Sequence, residues 1–258
     1  MESMRNIVKS GVQVALGTAG LSVVRKEPYS DARATLDTIL DSWQVDCVID
    51  VGANAGQFGQ LVRSTGYTGW LVSFEPGTVA FADLTDQCAR DDKWLAHDVA
   101  LGRTREKKEL SVSSANKLSS LLKPDSASMA DWYPQPRSVT AVEITEVHRL
   151  DEFISYWLRE TGTERVYLKR DTQGYDLEVL AGATGILDSV VAVQTEVVFK
   201  PLYENVPDIS ESLRTLKDLG FEPVGLFPIS RHQDARLIEM DCMAVKKLRI
   251  ESKEERRG

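Results

Sequence analysis

The chain is poor in the residues that build disulfide, zinc and redox sites. Only three of its 258 residues are cysteine and three are histidine. Cys47, Cys88 and Cys242 are far apart, odd in number and form no Cys-x-x-Cys pair. This scarcity excludes a disulfide framework and a cysteine-based zinc centre as the basis of the fold. We expect the three thiols to be reduced core residues of a cytoplasmic protein.

Positive charge is in deficit as well. The 31 lysines and arginines are outnumbered by 39 aspartates and glutamates, which gives a formal net charge of -8 at pH 7. A surface that binds nucleic acid along its phosphates needs the opposite balance. We therefore expect no nucleic-acid partner.

The sequence also lacks an apolar run of the roughly 20 residues that a membrane-spanning helix needs. The apolar stretch near the amino terminus, residues 11–24, follows two basic residues but contains three glycines. We interpret it as a helix packed on the domain or on a partner, with peripheral membrane contact and a cleaved signal peptide as alternatives. The chain accordingly divides into an N-terminal helical segment (residues 1–44), one domain (45–248) and a charged tail (249–258).

What the sequence does contain is a regular alternation of helical and strand patterns. Residues 31–43 have apolar side chains at helical spacing, and residues 45–51 form the nearly continuous apolar run of a strand covered on both faces. A glycine-rich turn, a helix and a second apolar strand at residues 70–74 follow, which predicts a parallel strand-helix-strand unit. The last two runs, residues 221–227 and 237–246, are predicted to pair antiparallel. The pattern indicates an α/β fold with a mostly parallel sheet.

One part of the chain breaks this alternation. A single third strand is predicted over residues 94–101, and the chain that follows, to about residue 137, is rich in serine and proline. We interpret the part from residue 113 to 137 as an insertion or lid that faces the active site rather than as core.

The first candidate site segment is residues 48–56, which read VIDVGANAG. In an open parallel sheet the ligand binds outside the carboxyl ends of the strands, where the strand order reverses. Gly52 and Gly56 let the backbone turn sharply there, but they are separated by three residues and do not form the G-x-G-x-x-G pattern of dinucleotide sites. The spacing favours a nucleoside cofactor without a pyrophosphate over a nicotinamide cofactor.

Two further carboxylates follow the next two strands. Glu75 ends the second strand, 19 residues beyond Gly56, where it can accept hydrogen bonds from the vicinal hydroxyls of a ribose. Asp98 follows the third strand and could accept a hydrogen bond from the amine of an adenine. Each has a plainer interpretation, as a carboxylate at a helix start or a solvated loop residue. Their succession on neighbouring strands favours the nucleoside site.

These segments resemble the FkbM family of class I S-adenosylmethionine-dependent methyltransferases over residues 45–245. The most specific segment is residues 168–183, which read LKRDTQGYDLEVLAGA. The resemblance implies a Rossmann-like sheet of seven strands, S-adenosylmethionine as cofactor, and a small-molecule or glycoside acceptor methylated on a hydroxyl of a sugar, glycolipid or natural product. It leaves a homodimer open. The cofactor residues that it implies are Asp50, Gly52, Ala53, Asn54 and Gly56 for the amino-acid part, Glu75 for the ribose, and Asp98 with Val99 for the adenine.

An aliphatic hydroxyl is a poor nucleophile while it is protonated, so a base or a metal must assist the transfer. Asp171, at the end of the predicted fourth strand, is the first candidate, and Lys169 lies two residues earlier on the same face. Glu196 follows the next strand, and His148 is the best placed imidazole. The structural alternatives are an ordinary ion pair, a loop cap and a surface histidine. A divalent metal is chemically allowed but not predicted, because the sequence has no dense cluster of ligands.

Two further features of the motif concern the packing of Arg170 and the identity of the acceptor atom. Arg170 stands where the family usually has an apolar strand residue, so it must pair with a carboxylate or lie at a more open strand end. Asp171 is followed by Thr-Gln-Gly instead of the two prolines typical of N-methyltransferases, which disfavours nitrogen as the acceptor. A binding module that keeps the nucleoside pocket without turnover is the alternative from another functional class.

Overall fold

The structure is a computed structural model that describes residues 31–113, 119–132 and 139–247. Most of the predicted N-terminal segment, including the apolar stretch at residues 11–24, and the predicted tail lie outside the described residues. None of the helices in the described ranges is long and apolar enough to cross a membrane.

Seven helices and ten strands are described, and both kinds alternate along most of the chain. The helices are α1 (Ala32–Ser42), α2 (Gln57–Ser64), α3 (Thr78–Cys88), α4 (Ser126–Trp132), α5 (Leu150–Thr161), α6 (Asp176–Ala181) and α7 (Ile209–Asp218). The strands are β1 (Cys47–Val51), β2 (Trp70–Phe74), β3 (Trp94–His97), β4 (Ala100–Leu101), β5 (Glu106–Ser113), β6 (Val139–His148), β7 (Val166–Arg170), β8 (Val190–Val198), β9 (Phe221–Arg231) and β10 (Leu237–Lys246).

Seven of these strands form one sheet in the order β3-β2-β1-β7-β8-β10-β9. β1 pairs parallel with β2 and with β7, and β7 pairs parallel with β8. Only β10 runs antiparallel, to β8 on one side and to β9 on the other. The prediction of a seven-stranded, mostly parallel Rossmann-like sheet with an antiparallel C-terminal pair is confirmed. The strand order reverses between β1 and β7, which is where such folds bind ligands.

Helices cover both faces of this sheet, and each face has its own buried apolar core. The core on the α1 face joins the sheet to α1, α2 and α3 through side chains such as Leu36, Val62, Leu84 and Tyr167. The core on the α5 face joins the sheet to α5, α6 and α7 through Leu150, Val179, Leu216 and Leu168. Successive residues of a strand point to opposite faces. Lys169 therefore shares the α1 face with Tyr167, and Arg170 shares the α5 face with Leu168.

The predictions for the third strand and the chain after it were wrong. β3 ends at His97, and β4 (Ala100–Leu101) belongs to a second, three-stranded sheet of order β4-β6-β5. The chain from residue 106 is a regular strand, β5, paired antiparallel with β6. Its sequence EKKELSVS is mostly polar and largely exposed, so it has no apolar run to reveal it. The pairing with β6, some thirty residues later, decides that it is a strand.

Candidate active site

A cavity of about 360 Å³ lies at the carboxyl ends of β1, β2 and β7, where the strand order reverses. Its volume is within the range of small-molecule sites. Its walls are formed by the turn after β1, the end of β2, the chain at β4 and β5, and the loop after β7. Many of the predicted site residues meet in this cavity: Gly52, Ala53, Asn54, Glu75, Val99, Lys169 and Asp171.

The turn after β1 approaches the loop after β7 very closely. Gly52 has a φ of +74°, and a Cβ atom at this position would overlap the carbonyl oxygen of Asp171. Only glycine satisfies both conditions without strain. Gly56 also has a positive φ, but it precedes α2 and packs against Trp94 instead of lining the cavity. The structure therefore gives Gly52 a direct place in the site and Gly56 a supporting one.

Glu75 ties the end of β2 to the turn after β1. Its Oε2 accepts a hydrogen bond from the amide of Asn54, and its Oε1 accepts one from the amide of Gly77, both at 2.8 Å. Burial raises the pKa of Glu75, and the two amide donors oppose that shift. An ionised carboxylate has about four acceptor positions. Glu75 thus retains acceptor capacity for the hydroxyls of a ligand.

The predicted adenine contact is only partly in place. Val99 lines the cavity together with Ala100 and Leu101, which add apolar surface. The side chain of Asp98 is exposed and is not among the described residues that line the wall. Its role in adenine binding stays a prediction.

Lys169 lies between two carboxylates at the floor of the cavity. Its Nζ is 2.8 Å from Oδ1 of Asp50 and 3.6 Å from Oδ2 of Asp171, and it donates to the carbonyl oxygen of Gly52 at 3.3 Å. Burial alone would lower the pKa of Lys169, but Asp50 and Asp171 together raise it. Asp50 is fully buried, and burial raises its pKa against the effect of Lys169. The ion pair holds the turn after β1 and the end of β7 together.

Glu196 opens onto a neighbouring crevice that it shares with Glu239 and Tyr203. Gln173 lines both spaces, and its Nε2 is 3.4 Å from Glu196 Oε2 and from Asp171 Oδ1. Burial, followed by the charges of Asp171 and Glu239, raises the pKa of Glu196 well above its ordinary value. Glu196 is therefore adjacent to the main cavity and separated from it by one side chain.

His148 lies apart from the other candidates. Its Nε2 is 3.3 Å from Oε2 of Glu146, and its ring packs edge-on against Phe153 at 5.6 Å. It is not part of the described cavity wall, so its catalytic role stays a prediction without support from position. No group of three or more histidine, cysteine, aspartate or glutamate side chains within the described ranges could hold a metal ion.

Arg170 is completely buried on the α5 face, so its strand end is not open. Its Nη1 donates to the backbone oxygen of Asp176 at 3.0 Å, while its Nε and Nη2 have no hydrogen-bond partner among the described residues. Burial lowers its pKa to about 10, and the Asp176 charge opposes the shift. The Asp176 carboxylate accepts hydrogen bonds from Thr172 and Thr195, both at 3.3 Å. Arg170 thus has a nearby carboxylate and braces the loop after β7.

Among the cavity residues missing from the sequence-based candidates are Gln194 on β8 and Asp241 on β10. The signal for Asp241 was present, because β10 reads LIEMDCMAVK and places two acids in an otherwise apolar strand. A buried strand keeps an acid only where the acid has a partner or faces a cavity.

Comparisons with known proteins identify a family. A family model described as the methyltransferase FkbM domain matches residues 50–223, which is more than half of the chain. No curated protein matches.

Several solved structures resemble this chain at low identity. An rRNA methylase from Streptococcus thermophilus is 10% identical, with a TM-score of 0.47 over 88% of this chain and 100% of that chain. Aeropyrum pernix fibrillarin with bound S-adenosyl-L-methionine is 11% identical, with a TM-score of 0.45 over 85% and 76%. The magnesium protoporphyrin IX methyltransferase of Synechocystis PCC 6803 is 10% identical, with a TM-score of 0.44 over 83% and 79%. By its family match, the chain belongs to the FkbM family of S-adenosylmethionine-dependent methyltransferases.

Proposed function

We propose that the protein is an O-methyltransferase that methylates a hydroxyl of a sugar, glycolipid or natural-product acceptor. The observation that carries the proposal is the cavity itself, which has the Glu75 carboxylate on one side, where it can accept hydrogen bonds from a ribose, and the Lys169 and Asp171 pair at its floor. The loop after Asp171 has threonine and glutamine in place of the prolines of N-methyltransferases, which supports oxygen as the acceptor atom.

The donor half of the cavity has the shape and the chemistry for S-adenosylmethionine. Gly52 leaves open the space that a side chain would fill, Glu75 has free acceptor positions for the ribose hydroxyls, and Val99 and Leu101 provide apolar surface for the purine. When bound, the cofactor supplies an electrophilic methyl group on a positively charged sulfur. The carboxylates of the cavity would favour that positive charge, because opposite charges attract strongly in a partly buried site.

The residues at the end of β7 position the acceptor. Asp171 is half-buried at the cavity wall, and its carboxylate can accept a hydrogen bond from a hydroxyl of the acceptor. Lys169 and Gln173 restrain that carboxylate from two sides. A restrained hydrogen-bond acceptor reduces the entropy that the two reactants must lose before in-line transfer.

Removal of the Glu75 carboxylate tests the donor site. We expect Glu75→Ala to weaken the binding of S-adenosylhomocysteine by roughly 10- to 100-fold, since hydrogen bonds to a charged group contribute about 1.5–3 kcal/mol. Isothermal titration calorimetry measures the affinity. Glu160→Ala, which removes an exposed carboxylate on α5, is the matched control and should bind normally. Equal affinity in the two variants would contradict the assignment of the donor site.

Replacement of Asp171 tests the reacting centre. We expect Asp171→Asn to lower kcat by roughly 100-fold, the cost of a misplaced reactant, and to leave the affinity for S-adenosylhomocysteine within a few-fold. Transfer from a labelled donor to a panel of alcohols and amines measures the activity. Donor binding without transfer to any compound would indicate a non-catalytic binding module. Transfer to amines alone would overturn oxygen as the acceptor atom.

A further inference from the structure

The cavity extends beyond the donor half. The donor half belongs to the strands on the β1, β2 and β3 side of the sheet, whereas a second group of lining residues belongs to β8, β10 and β9 and to the helices above them. This second lobe is lined by Ala32, Leu36, Phe58, Leu61, Gln194, Ile229, Asp241 and Met243. Lys169 on β7 and Asp171 directly after it lie between the two halves. The second lobe therefore adjoins the reacting centre from the side opposite the ribose carboxylate.

The walls of the second lobe are apolar, and its polar groups lie on the sheet. Leu36, Phe58 and Leu61 cover it from α1 and α2, and Ile229 and Met243 close it from β9 and β10. A free sugar has hydroxyls around its whole ring and would leave many of them unpaired against such walls. An alcohol on an apolar body would bury that body in the lobe and place its hydroxyl toward the sheet.

A buried hydrogen-bond relay orients the one lobe carboxylate, Asp241. The hydroxyl of Tyr167, which is fully buried, donates to Oε1 of Gln194 at 2.9 Å. With its oxygen engaged, Gln194 directs its amide nitrogen to the Asp241 carboxylate, to which it donates. Tyr167 is a positioning residue, because it acts on Asp241 only through Gln194, whereas Gln194 both orients Asp241 and lines the lobe.

The charges around Asp241 favour its role as a proton acceptor. Lys169 on β7 and Asp171 after it face Asp241, Glu239 lies on its own strand, and Glu196 is its partner in register on β8. The described residues of α1 and α2 that line the lobe are uncharged. Burial is the largest effect and raises the pKa of Asp241 to about 6. Asp241 is thus ionised at neutral pH and is a stronger base than an exposed aspartate.

We infer that the second lobe binds an acceptor whose hydroxyl is carried on an apolar body, and that Asp241 takes the proton of that hydroxyl during transfer. The inference rests on the proposed O-methyltransferase function. The O–CH₃ bond forms as the S–CH₃ bond breaks, the sulfur leaves as neutral S-adenosylhomocysteine, and the hydroxyl proton moves to the Asp241 carboxylate. Asp241 then releases the proton to solvent.

The lobe is tested by binding, without turnover. Octyl β-D-glucoside is a suitable probe because it carries sugar hydroxyls on an apolar chain, and calorimetry would measure its affinity for the protein saturated with S-adenosylhomocysteine. We expect Leu61→Gln to weaken probe binding at least fivefold while the affinity for S-adenosylhomocysteine is unchanged. Val79→Gln, an exposed apolar position outside the cavity, is the matched control. Failure of the loaded wild-type protein to bind the probe, or equal binding by both variants, overturns the acceptor class.

The role of Asp241 is tested by the pH profile of methyl transfer to the same probe. In the wild type, kcat should fall as the pH drops below about 6, where Asp241 becomes protonated. Asp241→Asn should lower kcat at least 100-fold, the lower range of general-base effects, abolish this acidic limb and change KM less than fivefold. Asp171→Asn should keep the limb, and Asp218→Asn, exposed on α7, should behave as the wild type.

The remaining outcomes separate this inference from the proposed function. An acidic limb that persists in Asp241→Asn, or an unchanged kcat, overturns the role of Asp241 and leaves the O-methyltransferase proposal intact. Transfer to methyl α-D-glucopyranoside but not to octyl β-D-glucoside overturns the apolar acceptor alone. Donor binding with no transfer to any alcohol overturns the proposed function, and this inference fails with it.

Discussion

At the scale of single residues, Gly52 determines how closely the two halves of the site can approach. Its positive φ and the adjacent carbonyl oxygen of Asp171 exclude any side chain. The turn after β1 and the loop after β7 are in backbone contact as a result. The ion pair of Lys169 with Asp50 and Asp171 crosses the same boundary. A change at Gly52 should therefore disturb the stability of the protein and the site together.

Gly52→Ala tests this tight contact against a glycine of similar backbone conformation. Gly66 also has a positive φ, but a Cβ atom there would have nothing within 4 Å. We expect Gly66→Ala to cost about 1–2 kcal/mol, the strain of a left-handed residue. Gly52→Ala should cost more than twice as much, because the backbone of Asp171 must also move. Urea denaturation measures both values, and equal costs would show that the contact is easily relieved.

At the scale of elements, Arg170 and Asp176 connect β7 with α6. Arg170 donates to the Asp176 backbone, and the Asp176 carboxylate is bonded to Thr172 in the loop and Thr195 on β8. The loop that carries Asp171 is thus braced on the α5 face by this network and on the α1 face by Lys169. The departure of Arg170 from the apolar family pattern has a structural explanation in this network.

A double-mutant cycle tests whether the two residues act as a unit. Arg170→Met alone should lower the free energy of unfolding by roughly 1–3 kcal/mol, since it removes the Arg170 hydrogen bond to the Asp176 backbone and the positive charge that favours the buried Asp176 carboxylate. Arg170→Met combined with Asp176→Asn should be at least 1 kcal/mol more stable than the sum of the single changes predicts. Strictly additive effects in urea denaturation would show that the pair is not coupled.

At the scale of the whole molecule, buried carboxylates give the protein a stability that depends on pH. Glu196 has a pKa well above its ordinary value, chiefly through burial, and burial also raises that of Asp241. The folded protein keeps these protons at pH values where the unfolded chain has lost them. Its free energy of unfolding therefore falls as the pH rises from the ordinary pKa to the raised one. The acids at the rim of the site thus lower stability at neutral pH.

Glu196→Gln should remove part of this cost. We expect the variant to be more stable than the wild type at pH 8, with a gain that shrinks as the pH falls toward about 4.3, the ordinary pKa of glutamate. Urea denaturation at several pH values measures the difference. Glu160→Gln, at an exposed position on α5, should show no such dependence. A gain that did not vary with pH would indicate that Glu196 is ionised in the folded protein.

The sequence by itself determined the main sheet, the turn after β1 and the family. Apolar runs and glycines are local, so β1, β7 and the residues from Gly52 to Glu75 could be predicted from them. The separation of Lys169 and Asp171 by one residue likewise predicted that they share a face, and they do.

Only the tertiary structure decided which strands are neighbours and which side chains meet at the cavity. The polar strand β5 is identified by its pairing with β6, and Asp241 enters the site because β10 inserts between β8 and β9. The same packing leaves His148 outside the cavity wall and puts Glu196 in the neighbouring crevice. Contacts between residues distant in sequence depend on strand order and helix packing, and the local pattern of a single chain does not encode which partners meet.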